Sequence, residues 1–338
     1  MPSMPSFRCL AALRALAAAT LLGACADATS PDVRIAPRAP SAAASAIVIG
    51  GPPSDPLPDP CPQCTLPTGR LLFTQQLGAA LPTLWSILAD GTGLQKEGDE
   101  MEDPAWIGNS TTRFLYTRHE SQAPQWSPWI QARYVASVFG VVSDHAMGDP
   151  GVVEPSSDPA GKRFVYVIHD IGDRAQLWLH VMDAFQVVKP TQLTGGTDTD
   201  RWPHWSPDGK TIVFASTRAG TGTPGAYHLW RIAPDGTGLM QLSALEARHP
   251  VYSPDGTRIA FTTATNAGDR VALMSAAGGN VTILPTNVAA SRPTWSRDGK
   301  WLAYEAAVSP AGSIWLAHPD GSGAHVISLS GHAPRWAR

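Results

Sequence analysis

The chain has 338 residues, among them 31 Gly and 31 Pro, and a formal net charge of −3. Only 16% of its residues are charged and no basic run occurs, which argues against nucleic acid as a partner. So many Gly and Pro suit a fold with many tight turns and few exposed helices.

Arg8 and Arg14 flank the start of an apolar stretch, Ala15 to Ala24, too short to span a bilayer as a mature helix. It ends in Leu22-Gly23-Ala24-Cys25, which resembles the bacterial lipobox. The resemblance implies a signal peptide over residues 1–24 and lipidation of Cys25 as the new N-terminus. Loss of Arg8 and Arg14 would bring the net charge to about −5. Ordinary secretion, with cleavage at the small residues Ala24-Cys25-Ala26, is the alternative. Ala26 after a lipidated Cys implies, by the same resemblance, sorting to the outer membrane. A cell-envelope protein is therefore expected, attached to the membrane by its lipid alone.

Residues 25–68 read as a tether rich in Ala, Pro and Ser, without sustained periodicity and unable to bury enough apolar surface to order itself. Cys61-Pro62-Gln63-Cys64 closes it. Cys9 leaves with the leader and Cys25 carries lipid, so Cys61 and Cys64 remain as a disulfide pair in an oxidising compartment. A redox role lacks its βαβ context, and a metal site lacks a second Cys pair.

From residue 69 onward one unit repeats six times. Its marker aromatics are Phe73, Tyr116, Tyr166, Phe214, Phe261 and Tyr304, separated by 43, 50, 48, 47 and 43 residues, the period of a propeller blade. Trp205-Ser206-Pro207-Asp208-Gly209-Lys210 returns as Tyr252-Ser253-Pro254-Asp255-Gly256-Thr257 and as Trp295-Ser296-Arg297-Asp298-Gly299-Lys300. Each Asp-Gly pair predicts a hairpin turn into the strand that bears the marker aromatic. A later strand carries Trp85, Trp129, Trp178, Trp230, Met274 or Trp315, and a second turn follows at Asp90-Gly91, Asp235-Gly236 and Asp320-Gly321. Bulky residues that recur in register are expected in the core.

These Trp-Ser-Pro-Asp-Gly-Lys units, with their Phe strand, Leu-Trp strand and Asp-Gly-Thr-Gly turn, resemble the TolB-type propeller repeats. Three copies match closely (205–242, 252–284, 295–328) and three are degenerate (69–95, 106–140, 157–194). The resemblance implies an all-β, six-bladed β-propeller of four-stranded blades over residues 69–338. Each unit is preceded by Pro and an aromatic, as in Trp202-Pro203-His204-Trp205, and the chain ends on one more such segment, Ala333-Pro334-Arg335-Trp336. That C-terminal strand is expected to complete blade one and close the ring. The Cys61–Cys64 segment, at a similar offset from Phe73, competes for that place.

Neither a Gly-x-Ser-x-Gly elbow nor a His-Glu-x-x-His, phosphate-loop or dinucleotide motif occurs, so no catalytic residue, metal or cofactor is assigned. The enzymatic alternative comes from propellers of this kind that act as oligogalacturonate lyases and hold a metal through His from several blades. His204, His249 and His332 lie near unit starts, but His204 and His249 are expected to face opposite sides of their strands. The better candidate is the mouth of the ring. Equivalent unit starts surround one axis and present Asp103, Glu154, Arg201, Trp202, Arg248, His249, Arg292 and His332, acidic on blades two and three and basic beyond. Such a rim suits a charged peptide or protein partner, with the chain acting as a monomer. The competing expectation is that these charges pair with one another.

Overall fold

The computed structural model describes residues 67–76, 80–118, 129–134, 137–141, 152–169, 174–181, 190–308 and 312–337. The leader, Cys25, most of the tether and the Cys61–Cys64 pair lie outside the described residues. The described part consists of strands joined by turns and loops, with no helix among the described residues.

Four-stranded antiparallel sheets follow one another along the chain. The first takes β1 (Arg70–Gln75), β2 (Thr83–Leu88) and β3 (Gln95–Asp99) and completes itself with the last strand, β24 (His332–Trp336), in the order β24-β1-β2-β3. Next come β4 (Met101–Trp106), β5 (Arg113–Arg118), β6 (Trp129–Tyr134) and β7 (Ser137–Val141). The third holds β8 (Val152–Ser157), β9 (Arg163–His169), β10 (Ala175–Val181) and β11 (Thr191–Gln192). The fourth holds β12 (Asp200–Trp205), β13 (Ile212–Ser216), β14 (His228–Ile232) and β15 (Met240–Gln241). The fifth holds β16 (Arg248–Tyr252), β17 (Arg258–Thr265), β18 (Gly268–Ser275) and β19 (Thr282–Ile283). The last holds β20 (Ala290–Trp295), β21 (Leu302–Ala306), β22 (Ile314–Ala317) and β23 (His325–Ser328).

The expectation of a six-bladed propeller is corrected here. Five sheets are blades that keep at least one turn of the repeat. The β4–β7 sheet pairs its four strands in order but departs from that plan. Its sequence lacks both turns of the repeat: Gly108-Asn109-Ser110 replaces Pro-Asp-Gly-Lys, and no Asp-Gly pair joins β6 to β7. The β6–β7 register is irregular between Gln131 and Arg133, as is that of β2–β3 between Leu84 and Trp85 and of β22–β23 between Ile314 and Trp315, which keep the Asp-Gly turn.

The turn code is structural. Ser206 Oγ donates to Asp208 Oδ1 at 2.6 Å, the same oxygen accepts from Lys210 N at 3.0 Å, and Gly209 takes the left-handed φ of +67°. Ser253/Asp255 and Ser296/Asp298 repeat the motif. The Ser206 and Ser253 hydroxyls, followed by backbone donors, hold the Asp208 and Asp255 carboxyls below the usual range. The marker aromatics are buried on the second strand of each sheet. Phe73, Tyr166, Phe214 and Tyr304 stand directly opposite Trp85, Trp178, Trp230 and Trp315. Phe261 instead faces Ala272, with Met274 two positions along, so the bulky residues are in register in most sheets but not in all.

The first strand of each unit lies innermost. Successive inner strands β24, β4, β8, β12, β16 and β20 adjoin, and β20 adjoins β24 again. β24 pairs with β1 through Leu71↔Trp336 and Leu72↔Arg335, so the C-terminal strand, and not the Cys61–Cys64 segment, completes the first sheet.

Candidate functional site at the axial channel

Every inner strand is interrupted at the same place. The residue before each Pro, namely Asp103, Glu154, Trp202, His249, Arg292 and Ala333, has φ between +46° and +56°. A non-Gly side chain in this region costs roughly 1–2 kcal/mol, and the following Pro keeps the residue from relaxing into a right-handed turn. Each strand answers with a bulge, seen as register shifts between Arg201 and His204, Arg248 and Val251, and Ser291 and Thr294. The freed backbone donors are caught from the preceding sheet. Glu154 Oε2 accepts from Trp202 N at 2.7 Å, Thr262 Oγ1 from Arg292 N at 2.9 Å, and Glu305 Oε2 from Ala333 N at 3.3 Å.

The bulges surround an axial cavity of about 80 Å³. A buried water needs about 10–15 Å³ by this measure, so the space holds a few waters or a small functional group. Of the residues expected at the mouth, Asp103, Glu154, Trp202 and His249 line it; Arg201, Arg248, Arg292 and His332 are not among its lining residues. Sequence reasoning missed Arg335, which lines the cavity on β24, the strand adjoining that of Asp103. It follows Pro334 as Ala105 follows Pro104, and that equivalence was its only signal.

Most of the rim charges are paired. Arg201 donates to Glu154 through Nε at 3.0 Å, Arg248 meets Asp269 at 2.8 Å, and Glu305 lies 2.9 Å from His332 and 3.9 Å from Arg292. Burial works against the Arg201 charge, but Glu154 more than offsets it and the net shift is upward. Burial likewise opposes the Glu305 carboxylate, yet His332 and Arg292 hold it below the usual range. Trp202 lies between Tyr227 and His249 with its ring tilted 57° and 48° to theirs and centroids 5.1 and 4.3 Å away, and the Arg201 guanidinium sits 5.1 Å from its centroid.

Three groups are differently placed. Burial, then Glu102 and Glu154, push the Asp103 carboxyl up to about 6, against the pull of Arg292 and Arg335. Burial also lowers Arg335, whose charge is only partly supported by Asp103 and Glu154. His249 is held well below its ordinary value by burial and four arginines, so its ring is neutral, and its Nε2 is buried without a hydrogen-bond partner.

A raised carboxyl favours folding when protonated. Its contribution is fully present below about pH 4 and is lost as pH rises through about 6. Asp103→Asn should therefore raise the melting temperature at neutral pH and flatten its pH dependence between those limits. A variant less stable at pH 7 than the parent would contradict this placement of Asp103.

The three His raised as metal ligands are engaged separately. His204 Nδ1 accepts from Tyr252 N at 3.2 Å, His249 Nδ1 lies 3.3 Å from Thr262 Oγ1, and His332 is held by Glu305. The expectation that His204 and His249 face opposite sides is corrected. His204 follows its Pro whereas His249 precedes its own, so they differ by two positions, and both line the cavity. Among the described residues no three of His, Cys, Asp or Glu are grouped to hold a metal. Asp200, Ser216 and His228 form one cross-strand row on β12, β13 and β14. They do not make a nucleophile relay. Both ring nitrogens of His228 meet backbone carbonyls at 3.0 Å, and Ser216 Oγ accepts from Arg218.

A model of the TolB beta propeller domain matches residues 103–337. An uncharacterized protein of Agrobacterium fabrum is 32% identical over 161 residues, 43% of this chain and 52% of that protein. A TolB homolog of Chlorobium luteolum is 29% identical over 124 residues, 36% of this chain and 27% of that protein. The match thus spans about half of the first relative and about a quarter of the second. Among solved structures, TolB from Acinetobacter baumannii has a TM-score of 0.63 at 21% identity over 80% of this chain and 66% of that one. A chain of a Nidogen/Laminin complex has a TM-score of 0.60 at 12% identity, covering 80% of this chain and 99% of that one. At these identities the likeness is one of fold.

Proposed function

We propose a binding function for this chain, which belongs to the TolB beta propeller domain family: it is a cell-envelope module that receives a protein or peptide partner at the mouth of its axial channel. One observation carries the proposal. At the axis, among the described residues, the Asp103 carboxyl, the Arg335 guanidinium and His249 Nε2 have no side-chain partner, whereas most of the charges around them are paired. Unused polar groups around a formed cavity await a ligand. Trp202, with Tyr227 and His249 against it, offers an aromatic surface beside them, a residue type enriched among the anchors of interfaces. The resemblance of the repeat to that of periplasmic TolB supports an envelope setting. The Leu22-Gly23-Ala24-Cys25 box supports lipid anchoring at Cys25 and, with Ala26, placement at the outer membrane.

The test uses the full chain as bait in envelope extracts, beside an Arg248→Ala, Arg292→Ala double variant. Both pairs are half-exposed and contribute no more than about 1 kcal/mol each, so the variant should stay folded. Partner capture should fall sharply in the variant and weaken with added salt, since exposed charges are screened over about 10 Å at 0.1 M. Capture that is insensitive to both would move the site off this mouth. In the same strains Cys25→Ser should release the protein from membranes; persistence there after a high-salt wash would refute the lipid anchor.

A further inference from the structure

Arg335 has five N–H donors, and the one hydrogen bond seen from its guanidinium runs to the carbonyl of Pro334, its own neighbour, at 3.1 Å. No carboxylate among the described residues forms an ion pair with it. Asp103 likewise has neither a hydrogen bond nor an ion pair from its carboxyl among the described residues. Both lie against the same cavity of about 80 Å³, on the adjoining strands β24 and β4. A half-buried guanidinium beside a space for a few atoms keeps donors that a ligand can take.

We propose that the axial cavity captures a carboxylate carried by an inserted peptide chain, with Arg335 as its anchor and Asp103 as an O–H donor that takes up one proton when the carboxylate arrives. This deepens the binding function proposed above and rests on it. The planar fork of Arg335 matches two carboxylate oxygens, and the free N–H groups on that fork are the ones needed. Asp103 is suited to the second role because its carboxyl already titrates at about 6. The groups that set this are Glu102 on its own strand, Glu154 on β8, Arg292 on β20 and Arg335 on β24; Arg201 also faces it from β12. An incoming carboxylate adds negative charge beside Asp103 and raises its proton affinity further, so the two carboxyls share a proton. His249 stays neutral and adds no charge of its own. A cationic ligand would instead have to approach Arg335 and Arg292, and would need Asp103 ionised.

The sign of the pH dependence separates the two chemistries. Binding that takes up one proton strengthens by up to about tenfold for each pH unit of acidification above the Asp103 pKa. The probes are three short alanine peptides: one capped at both ends with a single internal Glu, one with a free C-terminus and no Glu, and one fully capped without a carboxylate. Binding to the full-length protein is followed by NMR on the indole N–H of Trp106, which donates to the Arg335 carbonyl at 3.0 Å. The Glu peptide or the free-terminus peptide should bind, which of them identifying the source of the carboxylate, and affinity should rise from about pH 7.5 to about pH 5.5. Asp103→Asn should remove the pH dependence while keeping the affinity, and Arg335→Gln should weaken binding at least tenfold. If Arg335→Gln fails to fold, Arg335→Lys keeps the charge, loses the fork and should still bind several-fold more weakly. Equal binding of the fully capped peptide, affinity that falls on acidification, weakened binding in Asp103→Asn, or no binding by any probe would each overturn the proposal. The broader binding function would survive those results as long as the Arg248/Arg292 double variant still lost its partner.

Discussion

Deleting residues 332–338 should leave no stable folded protein, whereas deleting residues 26–60 should leave the melting temperature nearly unchanged. β24 is short, but its contacts close the ring. Trp336 is 2% exposed, its indole N–H donates to the Thr68 carbonyl at 3.2 Å, and its backbone N–H donates to Thr294 at 3.2 Å. Ala337 N donates to Arg70 O, and the Arg335 carbonyl accepts from Trp106. Truncating one buried Trp to Ala alone costs about 3–5 kcal/mol. Removing the strand also strips its ladder from β1, uncovers Leu71 and Phe73, and leaves an open edge on the first sheet. Against a total of about 5–15 kcal/mol the ring does not survive. Circular dichroism and light scattering of the two truncations check this. Equal tolerance of both deletions would mean that the first sheet can be completed by another segment.

The fold and the axial site differ in how far the sequence reveals them. Blade cores and turns were legible because one chemical solution recurs: Ser206, Ser253 and Ser296 each cap the Asp two residues on, and each such turn needs its Gly at positive φ. The closing strand was legible for the same reason, since Pro334 and Trp336 repeat a segment that otherwise begins a unit. The β4–β7 sheet was less so, because it keeps the strand pattern and loses both turns. The axis was harder still. Asp103 and Glu154 hold the same place before a Pro, yet Glu154 pairs with Arg201 on the next strand while Asp103 is left beside Glu102 and Glu154. Which carboxylate finds an arginine depends on how neighbouring sheets are juxtaposed, and periodicity does not report that. Linear counting also misplaced His204 relative to His249, because the Pro of each segment sets them two positions apart, not one, and both reach the cavity.

Trp205→Phe should destabilise the protein more than Trp295→Phe, although both residues hold the same place in the repeat. Trp205 is 0% exposed, packs among Val165, Val167 and Phe214 between the third and fourth sheets, and lies under the Arg163 guanidinium at 4.6 Å. Its indole N–H donates to the Ser156 carbonyl of the preceding sheet at 3.0 Å. Phe cannot donate there, so Ser156 O would be left buried without that bond, at a cost of about 1–3 kcal/mol beyond the lost apolar area. Trp295 is also buried and has its own guanidinium, Arg258 at 4.7 Å, but its Nε1 has no partner to lose. For Trp295→Phe only the smaller ring counts, and relief of an unpaired buried N–H works in its favour. Trp205→Ala should go further, at about 3–5 kcal/mol, a drop in melting temperature on the order of 10 °C for a domain of this size. The ordering, not the absolute values, is the sharper test, because the two Phe variants share the same change in volume and aromatic area. Equal losses for Trp205→Phe and Trp295→Phe would show that the indole bonds between sheets add nothing and that packing alone holds neighbouring blades together.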